Sequence, residues 1–347
     1  MPKISEAELK KQIKNKDFSP LYVLYGSEKM FVKHYTQKLT EAVVGKNPSD
    51  FSFYEFSGQF NLDSFAAAVQ SVPFMSEHNC VLVTDIFYDL LKKDESDEII
   101  KICSLASSSV IVIVSMPSYT PEKNSAYFDA LVKKAEKIGS VCKFERLSQN
   151  TLERYIAKWA NENGKTISHI NAAKLISICG DDLNLLKNEV NKISAYSQDE
   201  EISLEDIEKL ATATFEANIY AISDAVLKGN SDRAFNLLNL LFYQKTDPQR
   251  IFFTLAGSYI DAYRIRVADE CGVTQEEVAK AFEYKNRAFV LKKSRTATSR
   301  ISTQALRKIL DVFVDADIKM KSTSVDMRIH LEQLIARLLL IAKEGGV

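Results

Sequence analysis

The first 145 or so residues alternate short β-prone runs with helical stretches, which restricts this part of the chain to a layered α/β domain on a parallel sheet. Leu21–Tyr25 is apolar and β-prone, and Phe51–Phe56, Val81–Asp85, Val110–Ser115 and Val141–Phe144 follow as further β-prone runs. Helical spacing is read over 29–44, 62–71, 94–106 and 121–138, the last with Thr120 as its cap and Pro121 at the first helical position. The expected fold is a doubly wound sheet of about five parallel strands. From about Leu147 strands stop, and helices are expected at 150–163, 168–179, 182–197 and 204–213. Ser203 and Asp206 form a capping box for the last of these, Gly180 stops an earlier one, and Ile176, Leu183, Leu186, Val190 and Ile193 supply an apolar stripe. From 216 to 347 the pattern is helical throughout, with caps at Asp247, followed by Pro248, and at Thr274, boxed by Glu277.

In a doubly wound fold the turn after the first strand is where phosphate sits. Here that turn reads Gly26-Ser27-Glu28-Lys29-Met30-Phe31-Val32-Lys33. A phosphate-binding loop needs a second glycine for its nest of backbone amides, then Lys and Ser/Thr for the phosphates and magnesium. Those three places hold Phe31, Val32 and Lys33. Phe31 would crowd the nest, no hydroxyl follows for magnesium, and Glu28 would repel phosphate. The strand Val81–Asp85 likewise ends in a single acid followed by Ile86, not the acidic pair that holds magnesium and polarises water. The turn reads as a degenerate nucleotide loop without a catalytic residue. Lys29 and Lys33 read as solvated helix lysines, a phosphate contact being the alternative.

The five cysteines (Cys80, Cys103, Cys142, Cys179, Cys271) are scattered, as reduced and mostly buried thiols are, and apart from His78 beside Cys80 the four histidines make no ligand spacing, so no metal is assigned. With a net charge of −1 and a pI of about 6.5 the chain has no global basic field, and any DNA contact must be local or shared with partners. The polar N-terminus has no signal-peptide core and the apolar run Leu338–Ala342 is too short to span a bilayer, so no membrane and a cytoplasmic location are expected.

Two surface features ask for a partner. The connection Ser71-Val72-Pro73-Phe74-Met75-Ser76 follows a helical segment whose Phe65, Val69 and Val72 share one face, and Pro73 breaks it. Phe74 and Met75 then stand on a loop that should be solvated: either they anchor another protein's pocket, or Phe74 tucks under its own sheet. The second feature is a run of eight basic residues without an acid, Lys285, Arg287, Lys292, Lys293, Arg295, Arg300, Arg307 and Lys308. It reads as a surface for DNA or an acidic neighbour, with only Tyr284 and Phe289 available for base stacking.

A helix, a loop of the form small-apolar-Pro-Phe-apolar-Ser and a strand ending in Asp resemble the delta subunit of the bacterial DNA polymerase III clamp loader. The resemblance continues through Gly180-Asp181-Asp182-Leu183 to Ile193, Glu216-Ala217-Asn218-Ile219, Gly229-Asn230-Ser231-Asp232-Arg233-Ala234, Ala316-Asp317 with Lys319 and Lys321, Arg328, and Leu331-Glu332-Gln333-Leu334. The Ser-Arg-Cys arginine finger of active clamp-loader ATPases is missing from the sequence. The resemblance implies an AAA+-like α/β domain over 1–145, a helical lid over 146–215 and a helical collar over 216–347. It implies a non-catalytic subunit of a nucleotidyltransferase assembly, without cofactor or metal, whose Val72, Pro73, Phe74 and Met75 grip the sliding clamp and hold its ring open. The implied partners are that clamp, gamma/tau- and delta-prime-type subunits, and primer-template DNA within the assembly. An active P-loop ATPase is the alternative that Phe31-Val32 opposes, and a DNA-binding regulator would need a base-reading recognition helix.

Overall fold

The computed structural model describes residues 3–74, 76–86, 91–121, 125–284, 291, 294–295, 301–322 and 326–344. Its strands are β1 (Leu21–Gly26), β2 (Phe53–Ser57), β3 (Asn79–Thr84), β4 (Val110–Ser115) and β5 (Ser140–Phe144). All pair in parallel in the order β2-β3-β4-β1-β5, with Phe53 opposite Cys80, Cys80 opposite Ile111 and Leu21 opposite Val112. Alternation along each strand feeds two cores. Val23, Val81, Val83, Val112 and Val114 pack with Phe65 of α3 (Leu62–Val69), Ile99 and Ile102 of α4 (Lys93–Cys103), and Phe128 and Leu131 of α5 (Ala126–Ile138). The other face takes α1 (Glu6–Asn15) and α2 (Lys29–Val44), whose Leu9, Val32 and Leu39 are fully buried, while the Tyr22 hydroxyl donates to Gln12 Oε1 at 3.1 Å.

Several boundaries differ from expectation. α5 starts at Ala126 behind Ser125, because the Thr120 hydroxyl donates to the Gly26 carbonyl at 2.8 Å and ties the chain to the end of β1 instead of capping a helix. α3 ends at Val69, where Ser71 N–H turns back to the Ala68 carbonyl at 3.2 Å and Pro73 holds its predecessor extended, so Val72 leaves the helix face altogether. β2 begins at Phe53, since the backbone of 49–52 closes a turn instead of extending. β3 begins at Asn79 and stops before Asp85, whose φ of 52° is left-handed. α1 was not expected, although Ser5 and Glu8 form its capping box.

α6 (Gln149–Glu162) carries the chain onward, and the contacts divide it into Met1–Tyr155 and Ile156–Val347. The second unit is helical: α7 (His169–Cys179), α8 (Leu183–Tyr196), α9 (Leu204–Leu210), α10 (Phe215–Leu227), α11 (Ser231–Tyr243), α12 (Pro248–Glu270), α13 (Gln275–Ala281), α14 (Thr303–Ser322) and α15 (Met327–Glu344). The boxes at Ser203 and Thr274 and the Asp247 cap form as expected, but α9 ends at Leu210 because Ala211 is extended. α10, α11, α12, α14 and α15 share one core through Ile222, Leu238, Leu255, Ile309 and Ile335. Cys80, Cys103, Cys142 and Cys179 are buried, and burial pushes their thiols up to about 12; Cys271 is exposed. Among the described residues no His/Cys/Asp/Glu group could hold a metal ion, and no helix is long and apolar enough to cross a membrane.

Candidate functional site

In a parallel sheet all strands begin at one edge and end at the other, so the Gly26 turn and the Phe74 loop lie at opposite edges. At the C-terminal edge Gly26 has φ 144°, and a Cβ there would stand 2.0 Å from the Phe144 carbonyl oxygen, which also accepts from Glu28 N–H at 3.1 Å. The turn is thereby closed onto β5. Phe31 is buried, its ring centroid 6.2 Å from Phe144 and 5.6 Å from Tyr155, while Tyr35 stacks on Phe144 at 5.3 Å. Val32 is fully buried and Lys33 is exposed, and the Phe31 and Val32 N–H groups both donate to the Glu28 carbonyl at 3.1 Å.

The polar groups that a nucleotide site would aim at its ligand are engaged with each other. Asp85 accepts from Ser118 N–H at 2.9 Å and from Ser118 Oγ at 2.6 Å. Ser115 Oγ, at the end of β4, is 2.5 Å from Thr36 Oγ1 inside the domain. Lys29 is half-buried and donates to the Met116 carbonyl at 3.4 Å; burial lowers its pKa, with Asp85 acting in the opposite sense. These bonds join the ends of β3 and β4 to each other's neighbourhood and to α2.

At the N-terminal edge the loop before β3 is closed at its base by one side chain. Asn79 is fully buried; its Nδ2 donates to Ser71 Oγ at 2.8 Å and its Oδ1 accepts from Ser76 Oγ at 3.2 Å. Its backbone N–H donates to the Ser109 carbonyl at 2.9 Å. Next to it His78 Nδ1 lies 2.9 Å from the Ser108 carbonyl, with Phe18 edge-on to its ring at 5.7 Å. Between these ties Val72 is 83% and Phe74 70% exposed, with Pro73 half-buried. Phe74 is therefore not tucked under its own sheet. Met75 lies outside the described residues.

A family model described as DNA polymerase III, delta subunit, matches residues 22–145, and one described as that subunit's C-terminal domain matches 216–338. The chain belongs to the DNA polymerase III delta subunit family. That membership gives it a role in DNA replication. This delta-family chain is 22% identical over 338 residues to DNA polymerase III subunit delta of Bacillus subtilis, covering 95% of both chains. It is 23% identical over 270 residues to the probable DNA polymerase III subunit delta of Aquifex aeolicus, covering 76% of this chain and 74% of that one. The solved structure of the Bacillus subtilis DNA clamp loader delta protein matches with a TM-score of 0.60 at 21% identity, over 96% of this chain and 99% of that one, so the two share a fold.

In this delta-family chain the basic run is only partly described. Lys285, Arg287, Lys292, Lys293 and Arg300 lie outside the described residues. Arg295 pairs with Asp269 through two contacts of 2.5 and 3.1 Å, and Arg307 and Lys308 are exposed on α14.

Sequence reasoning passed over Asn79, the residue that shapes the loop. The available signal was its position: Asn is depleted in strands, and one that opens an apolar strand is there for its side chain. Asn79→Ala in the delta-family chain leaves the part-buried Ser71 and Ser76 hydroxyls without this partner. It is expected to cost about 1–3 kcal/mol of folding stability, measured as a lower urea midpoint at unchanged slope. A midpoint equal to wild type would show that Asn79 does not brace the loop.

Proposed function

We propose that this chain is the clamp-loader subunit that grips the ring-shaped sliding clamp through Val72, Pro73, Phe74 and Met75 and holds the ring open for loading onto primed DNA. The observation that carries this reading is an exposed phenylalanine on a loop whose base is fixed by a buried side chain. A large apolar anchor held in place before binding avoids the ordering cost that a mobile loop would incur. Opening the ring requires that the loop prefer the open state, because a ligand with equal affinity for both states shifts nothing. Surface plasmon resonance with the sliding clamp of the same organism tests the reading, and absence of binding at micromolar protein overturns it.

The reading includes no ATP chemistry in this chain, the energy coming from neighbouring subunits. Its support is the engagement of Asp85 with Ser118 and of Ser115 with Thr36, together with Phe31 and Val32 where a glycine and a lysine would have to stand. Calorimetry with a non-hydrolysable ATP analogue and magnesium is expected to give no binding heat. Magnesium-dependent binding in the micromolar range would overturn that part of the reading.

In the same reading, residues 1–145 face the clamp, 146–215 form the lid and 216–347 the collar that packs against gamma/tau- and delta-prime-type subunits. α12 supports the collar role. Its Phe253 and Ile260 are exposed, and Gly257 between them has nothing within 4 Å of where a Cβ would lie. A glycine inside a helix costs about 1 kcal/mol relative to alanine, and an apolar stripe interrupted by one suits the close approach of another helix. The basic run of 285–308 would meet primer-template DNA within the assembly or an acidic neighbour.

A further inference from the structure

The turn leading into β2 resembles the Phe74 loop in design. Its backbone closes on Ser49, whose carbonyl accepts from Ser52 N–H at 3.0 Å and from Phe53 N–H at 3.2 Å. The Ser52 hydroxyl, buried beneath it, donates to the same carbonyl at 3.1 Å and lies 3.0 Å from Ser49 Oγ. The Tyr54 hydroxyl donates to the Phe51 carbonyl at 3.1 Å. On this fixed turn Phe51 is 71% exposed.

The two phenylalanines belong to neighbouring strands of one sheet edge. β2 lies beside β3, and Cys80 N–H donates to the Ser52 carbonyl at 2.8 Å, so the residue after Phe51 is bonded to the residue after Asn79. On the other flank the Asn79 and His78 bonds to Ser109 and Ser108 join the loop to the turn leading into β4, where Leu105 is 49% exposed. The turns into three adjacent strands are thus cross-linked by hydrogen bonds, and each presents a bulky apolar side chain to solvent. Isolated surface apolar residues are ordinary, but a row of them on rigid turns along one edge marks a protein-binding face.

We infer that Phe51 is a second anchor for the partner that Phe74 grips, so that the recognition face extends from the β3 loop across the turn into β2. This rests on the proposed clamp reading, and what commits the face to that partner is its continuity: the Phe51 turn is bonded directly to the strand that carries the Phe74 loop.

The test measures clamp affinity of the full chain by surface plasmon resonance for Phe51→Ala, Phe74→Ala, the double variant, and Ile170→Ala, which removes an apolar residue 78% exposed on α7 as a control. Phe51→Ala is expected to weaken binding about tenfold at an unchanged melting temperature, with Ile170→Ala at wild-type affinity, since truncating an interface anchor commonly costs about a decade or more. Wild-type affinity for Phe51→Ala alongside weakened binding by Phe74→Ala overturns the second anchor and leaves the clamp reading standing. Equal losses for Phe51→Ala and Ile170→Ala also overturn it, as an effect of surface apolarity in general. No loss for either phenylalanine removes both as anchors, whereas absence of clamp binding by the wild-type chain sinks the clamp reading itself.

Discussion

Phe74→Ala is expected to weaken binding to the sliding clamp at least about thirtyfold while the melting temperature stays where it was. Burying a phenylalanine is worth roughly 1.5–3 kcal/mol, and central aromatic anchors often cost about 2 kcal/mol or more on truncation, which at 1.4 kcal/mol per decade gives the thirtyfold figure. The stability half of the expectation follows from exposure: a side chain mostly in water loses little packing when shortened, and such surface changes stay within about 0.5 kcal/mol. Affinity and thermal melting are to be measured on the same preparation. Retained affinity would remove Phe74 as the anchor and leave Val72 and Met75 as the local candidates; a large fall in melting temperature would mean that its ring is packed in the folded chain.

Gly26→Ala carries the largest expected loss of stability. Two effects add there: φ 144° lies in a region that residues with a side chain rarely adopt, and the new methyl would meet the Phe144 carbonyl oxygen at 2.0 Å. Neither β1 nor β5 can withdraw without breaking its parallel pairing, which runs from Tyr22 opposite Ser140 to Gly26 opposite Phe144. The cost is expected to be on the order of 3–5 kcal/mol by urea denaturation, the range of severe core and backbone lesions. Gly45→Ala isolates the conformational part, because Gly45 has φ 83° but nothing within 4 Å of its Cβ position; it should cost about 1–2 kcal/mol. Equal losses at the two sites would mean that the clash with Phe144 relaxes freely.

The strands were legible because a strand covered on both faces can hold little but apolar residues, and β3 and β4 announce themselves as Val81-Leu82-Val83 and Val110–Val114. The turn after β1 was located by the same strand pattern, and its Phe31 and Val32 are residues a phosphate nest does not tolerate. What escaped depends on contacts between distant residues. Thr120 and Pro121 are as good a helix opening as any, and only the Gly26 carbonyl, 94 positions away, draws the threonine elsewhere. α1 buries a single leucine, too thin a stripe to stand out, although its capping box was in plain view. Asn79 and Phe51 gain their meaning from Ser71, Ser76 and the Ser49 turn, and a periodic pattern carries no record of such partners.

β3 joins the two edges of the sheet: Asn79 is its first residue, and Asp85 follows its last. Six residues of extended chain span about 20 Å, and this rod is hydrogen-bonded to a neighbour on each side and sandwiched between helices. A rod so confined shifts as a whole more readily than it bends, and the loop at its head is tied through Asn79 and His78 to the turn before β4. A push applied near Asp85 would therefore reach Phe74 as rotation of the entire domain, in the manner of a lever. On the proposed clamp reading, control of the grip would lie in where neighbouring subunits let the domain turn.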